Sequence, residues 1–168
     1  RSTPRWVTST PRRRSRRTRP ASARPRPSCG RRASASRVSA LPRMALYGMR
    51  PVAEIQFNEF LFMGYHQLKT HGSRMRTKSR GRYSCPMVVR TPYGGGIRPL
   101  ELHSESMDGI FAHTPGIKVV VASNPYDAKG LLISAIRDPD PVIFLEPTRL
   151  YRSVKDEVPE ELYTVPIG

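Results

Sequence analysis

Acidic residues are missing from the first 43 positions of this chain, and so is lysine, yet fourteen arginines stand there. The formal charge of +16 therefore belongs to one end, since residues 44–168 hold fifteen Lys and Arg against thirteen Asp and Glu. A pI near 11 describes that end and says little about the body. Cysteine is scarce as well. Cys29 and Cys85 lie far apart and match no metal-binding or redox spacing, which suits a reducing interior better than a secreted disulfide scaffold. Long apolar runs are lacking too, with nothing near the ~20 residues a membrane-spanning helix needs. The expectation is a soluble intracellular protein.

What the first 43 positions do contain is Arg, Pro, Ser, Thr and Ala, with Trp6 as the one aromatic. Like charges at that density repel and six prolines interrupt helices, so the composition predicts a disordered tail. Three readings of it are open. A basic arm could neutralise nucleic-acid phosphates, although nothing is interleaved to stack on bases. An acid-free, Arg- and Ser-rich leader is also the composition of an organelle transit peptide, without the amphipathic spacing. The third reading, preferred here, is out-of-frame translation of a GC-rich gene, with sense beginning at Met44.

From Met44 the character changes. Pro51–Phe57 reads as a buried strand, and Asn58 as the cap of a following helix. Phe57, Leu61, Tyr65 and Leu68 recur at helical spacing, with Phe60 one position off that face. His66 and His71 then lie on a helix surface, with no acidic or thiol neighbour to complete a metal site. Residues 72–82 read as a solvated basic connector, and Met87–Thr91 as a second buried strand. Ile117–Val121 is a third. Asn124-Pro125 pairs an N-cap residue with proline at the first helical position. Ala128, Leu131, Leu132, Ala135 and Ile136 continue that helix as one apolar stripe, and Pro139 ends it. Pro141–Glu146 is a continuous apolar strand, hence one covered on both faces. Strand, helix and strand form a parallel crossover, and the class is α/β: a mostly parallel sheet flanked by helices. Tyr163–Gly168 reads as the start of a linker.

The chemistry collects in Gly94–Gly116, a loop carried by this framework. It holds three consecutive glycines, His103 with Glu105 two residues on, and His113 in an Ala-His-Thr-Pro-Gly turn. The glycines alone are a weak phosphate signal, since nothing after them reads as a helix N-terminus. A structural hydrogen bond is the expected role of His113.

Several motifs now fall in one order: Gly48-Met-Arg-Pro-Val-Ala-Glu-Ile-Gln-Phe57, Tyr93-Gly-Gly-Gly96, Leu102-His-Ser-Glu-Ser106, Phe111-Ala-His-Thr-Pro-Gly116 and Asp138-Pro-Asp-Pro-Val-Ile-Phe-Leu-Glu-Pro147. From about Ala45 to Gly168 the chain resembles the beta subunit of the thiamine-diphosphate-dependent 2-oxo acid dehydrogenases, of the pyruvate and branched-chain type. The resemblance implies a transketolase-like pyrimidine-binding domain over 44–162, with thiamine diphosphate at an interface with an alpha subunit. That alpha subunit would grip the pyrophosphate and Mg²⁺, in a heterotetramer serving a lipoyl-bearing acyltransferase. It implies Phe60 against the pyrimidine ring, Gln56 beside the active site, and His103 facing the reacting centre as proton donor. It also implies a structural monovalent cation, such as K⁺, held by carbonyls near Pro86, Val88, Val89, Ala135 and Asp140, with Asp138 as the one side chain. A prokaryotic cytoplasm, or alternatively the mitochondrial matrix, is the implied location.

The family's earlier strand–helix–strand segment carries a glutamate that activates the cofactor, and the arginine-rich tail stands in its place. Glu54 and Glu59 do not match that motif. The expectation is a fragment, inactive alone, lacking also the domain beyond the linker. Two rival readings are a nucleic-acid-binding protein acting through its tail, and a transketolase or deoxyxylulose phosphate synthase sharing the domain.

Overall fold

A computed structural model describes residues 29–98 and 101–168. Eleven segments follow in order: α1 (Cys29–Leu46), β1 (Val52–Glu54), α2 (Asn58–Gln67), a π-helical turn (Leu68–Gly72), α3 (Met75–Lys78), β2 (Val88–Tyr93), α4 (Asp108–Ala112), β3 (Lys118–Val121), α5 (Pro125–Arg137), β4 (Val142–Pro147) and α6 (Leu150–Ser153). The four strands form one sheet in the order β1-β2-β4-β3, and every neighbouring pair is parallel. The expected crossover from β3 through α5 to β4 is present, with Val119 level with Ile143 and Val120 with Phe144.

Alternate residues of the central strands serve two cores, as the period of two requires. Val89, Ile143 and Leu145 face one cluster with Leu61, Leu68 and Phe111. Val88, Val142 and Phe144 face the other with Val120, Ala122 and Ala135. Burial on both faces is why Val142–Leu145 of β4 is apolar without alternation. Each fully buried Leu or Phe contributes about 1.5–3 kcal/mol.

The expectation of a disordered tail over 1–43 is corrected where it can be compared. Residues 29–43 belong to α1; residues 1–28 lie outside the described residues. The composition hides a stripe, Val38, Leu41 and Ala45, that is buried against α2 while Arg37 and Arg43 stay in solvent. The contact is close enough that a Cβ on Gly64 would lie 2.7 Å from Val38 Cγ2. Packing of that stripe outweighs the proline at position 42 inside the helix.

Three boundaries also differ. β1 pairs over Val52–Glu54 only, because the chain beyond Ile55 swings away to start α2. The N-cap of α2 is Phe57, not Asn58, and no side chain caps it. The basic connector is structured: a π-helical turn and α3 occupy part of it, and Arg76 pairs with Asp140 at 2.9 Å. Asn124 caps α5 as read, its Oδ1 accepting from the Asp127 amide at 2.7 Å. Among the described residues no helix is long and apolar enough to cross a membrane.

Candidate active site

The end of β1 and the loop after β2 leave the same end of the sheet, and they carry the site's rings. Phe57 at the start of α2 and Phe60 one turn on both reach His103. The Phe57 and His103 centroids are 4.8 Å apart at 54°, and those of Phe60 and His103 are 5.6 Å apart at 87°. Helical geometry puts residues three apart on one face, so both phenyl rings can flank a single imidazole.

His103 Nδ1 lies 2.9 Å from the Glu101 carbonyl. A carbonyl only accepts, so Nδ1 carries the proton, and Nε2 is the acceptor of the neutral ring. Nε2 has no protein partner among the described residues. The site therefore offers an apolar aromatic wall and one nitrogen able to take or give a proton.

The glycine run is held from below. Thr148 Oγ1 lies 2.9 Å from the Gly94 carbonyl, 3.2 Å from that of Gly95 and 3.3 Å from that of Tyr93. Gly94 and Gly96 both have positive φ, at 76° and 119°, a region that glycine enters without steric cost. The loop is pinned again where the Gly94 amide donates to the Glu105 carbonyl at 3.0 Å. Further on, the Tyr65 hydroxyl and Thr114 Oγ1 share a 2.5 Å hydrogen bond between α2 and the turn after α4. That turn's side-chain hydrogen bonds are thus made by Thr114, whereas His113 is exposed.

Not every residue singled out in the sequence joins this cluster. Gln56 precedes Phe57, but its Nε2 donates to Glu54 Oε1 at 2.9 Å. Glu54 continues into a charged chain across the strand ends. Arg90 sits 3.5 Å from Glu54 Oε2 and grips Glu146 through Nε at 2.6 Å and Nη2 at 3.1 Å. Tyr151 donates to the same carboxylate. Burial, then the Glu146 hydrogen bond, raises the Tyr151 phenol, and the Glu146 hydrogen bond raises the Arg90 guanidinium. This chain borders a cleft of about 520 Å³ on the α5 face, lined also by Leu132 and Phe144, across the sheet from His103.

Asp138 lies at the other end of the sheet, at the C-terminus of α5. Its Oδ2 pairs with Lys118 at 2.6 Å and its Oδ1 accepts the Asp140 amide at 2.9 Å. Arg50 donates to the Ile136 and Asp138 carbonyls at 2.9 and 3.0 Å. Both carboxylate oxygens are engaged, so a cation at this rim would depend on backbone carbonyls. Among the described residues no three His, Cys, Asp or Glu side chains group as metal ligands.

Phe57, Asn58 and Thr148 were not recognised as site residues. Spacing sets Phe57 on one helix face with Leu61, Tyr65 and Leu68, and the other two act through contacts distant in sequence, which no local pattern signals.

Comparison with known proteins supplies the rest. Residues 41–154 match the family model described as transketolase, pyrimidine binding domain. The beta subunit of the pyruvate dehydrogenase E1 component from Acholeplasma laidlawii is 60% identical over 125 residues, covering 74% of this chain and 38% of that protein. Its counterpart from Bacillus subtilis is 54% identical over 125 residues, with the same two coverages. The 2-oxoisovalerate dehydrogenase subunit beta of Bacillus subtilis is 51% identical over 124 residues, again 74% and 38%. The chain spans well under half the length of these curated relatives.

Proposed function

Because the chain belongs to the transketolase pyrimidine-binding domain family, we propose that it is the pyrimidine-side part of a thiamine-diphosphate-dependent 2-oxo acid dehydrogenase beta subunit. Its substrates would be pyruvate or a branched-chain 2-oxo acid, with the acyl group passed to lipoamide. An alpha subunit would complete the site and hold Mg²⁺ with the pyrophosphate, in a heterotetramer.

The observation that carries this reading is the meeting of Phe57 and Phe60 with His103 at one end of a parallel sheet. The residues fit the group. Two phenyl rings offer a platform for a flat heteroaromatic ring, and Nε2 of His103 lacks a protein partner among the described residues. Thiamine diphosphate, when bound, would supply the carbanion chemistry that decarboxylation needs.

This chain's residues do the remainder. Phe57 and Phe60 exclude water from one side of the reacting centre, which strengthens hydrogen bonds made there. The Glu101 carbonyl fixes the Nδ1–H tautomer, so a protonated His103 would present Nε2–H to the developing oxyanion. Gln56 acts one step back, orienting the Glu54 carboxylate beside Arg90. Asp138, with Lys118, closes the opposite rim, where carbonyls could take K⁺.

The test uses 4-amino-5-hydroxymethyl-2-methylpyrimidine, the cofactor's ring fragment, titrated into the full chain. The His103 ring-proton resonances should move saturably, and Phe60→Ala should weaken the effect at least tenfold. Resonances that stay fixed up to millimolar fragment would overturn the reading.

A further inference from the structure

Asn58 is only 1% exposed, and among the described residues its Oδ1 finds no hydrogen-bond partner. An unpaired buried amide oxygen is rare enough in folded proteins to need a reason. The carboxamide's other end gives one. Its Nδ2 points at the Glu105 carbonyl, 3.5 Å away, across the gap between α2 and the His103 loop. The orientation is fixed by chemistry: that carbonyl already accepts from the Gly94 amide and cannot donate, so nitrogen must face it and oxygen is left over.

We infer that Asn58 is a positioning residue that seats the His103 loop against the Phe57–Phe60 wall. Asn58 follows Phe57 directly and precedes Phe60 by half a helical turn, so it is rigid with respect to both rings. Its target, Glu105, lies two residues beyond His103, on the opposite side of the gap between α2 and the loop. Gly94, the other donor to that carbonyl, is where the loop departs from β2. One amide therefore links the helix carrying the rings to both ends of the segment carrying the imidazole. A residue at this position whose sole task was filling space would be apolar, because an unpaired oxygen costs free energy that a leucine would not. A polar side chain here is explained if the nitrogen is needed.

The inference rests on the reading of His103 and Phe60 as the cofactor side. Its test uses no cofactor, so the two can fail separately. The full chain would be compared with Asn58→Leu, which keeps the branched heavy-atom skeleton and removes donor and orphan acceptor together. Ring currents of the two phenyl groups should displace the His103 ring-proton resonances, and exposed His66 and His71 provide internal references. We expect Asn58→Leu to melt within a few degrees of the parent while the His103 resonances shift toward those of His66 and His71. Asn58→Ser tolerates the helix start but is too short to reach Glu105, so it should do the same. His103 resonances unchanged in either folded variant would overturn the inference. Loss of the fold in both would do so as well, since Asn58 would then support the whole domain and not the loop.

Discussion

Phe60 on α2 and His103 in the long loop after β2 meet edge to face, their centroids 5.6 Å apart and their planes at 87°. An aromatic ring is positive at its edge and negative on its face, so the T-shaped arrangement is the attractive one. A double-mutant cycle with Phe60→Leu and His103→Leu should give a coupling of about 0.5–1.5 kcal/mol in urea unfolding. Strictly additive losses would mean that the rings are neighbours without mutual support.

The loop's return to the sheet is fixed by backbone against backbone. Gly116 has φ of +85°, and a Cβ there would stand 2.2 Å from the Ser73 carbonyl oxygen. Gly81 has nearly the same φ, +80°, with nothing within 4 Å of its Cβ position. The pair separates conformational strain from collision. Gly81→Ala should cost about 1 kcal/mol, the penalty of a left-handed residue alone. Gly116→Ala should cost at least about 2 kcal/mol more, because the obstacle is main chain and cannot rotate aside. Equal melting-temperature losses for the two would show that Ser73 yields.

The framework was legible because its signals are local. The Asn124-Pro125 start and apolar stripe of α5, and the unbroken apolar run of β4, each depend on residues a few positions apart. Most of α1 was hidden: fourteen arginines in the first 43 residues dominate any average, whereas Val38, Leu41 and Ala45 in its second half decide the packing. Phe60 and His103 were reachable only through their resemblance to a family, since no spacing rule joins a helix start to a distant loop. Their company was not reachable at all. Phe57 matters through the His103 ring, and Asn58 and Thr148 through the Glu105 carbonyl and the glycine run, contacts that exist only once α2 and β4 are in place.

Cys85 gives a pH dependence with a definite sign. Burial, aided by Asp140, pushes its thiol up to about 11, from an ordinary value of 9.0. A raised thiol means that the folded state holds its proton more tightly than the unfolded chain. The stabilisation is therefore complete below pH 9 and is lost as pH rises through about 11, a loss of roughly 2–3 kcal/mol. Iodoacetamide labelling, mapped by peptide mass spectrometry, should leave Cys85 almost untouched at pH 8 and accelerate only above pH 10. Rapid labelling of Cys85 at pH 8 in folded protein would contradict the burial on which this depends.

The last residues lie along α5, and one glycine makes that possible. Lys129 Nζ donates to the Pro159 and Glu160 carbonyls, Ser134 Oγ to Val165 O, and the Tyr163 hydroxyl to the Tyr126 carbonyl at 2.8 Å. Tyr126 and Tyr163 stack with centroids 4.4 Å apart. Between these attachments Gly130 lets the strap touch the helix backbone, since a Cβ there would lie 2.5 Å from Val165 Cγ2 and 3.0 Å from Val165 N. Gly130→Ala poses two effects against each other. The helix itself gains up to about 1 kcal/mol from alanine in its interior, while the strap must lift. The expected outcome is a melting temperature changed by no more than a few degrees, together with chymotryptic cleavage after Tyr163 that is at least fivefold faster under native conditions. Cleavage at the parent rate would mean that the strap shifts sideways without leaving, and that the hydrogen bonds of Lys129 and Ser134 hold it independently of the close approach at Gly130.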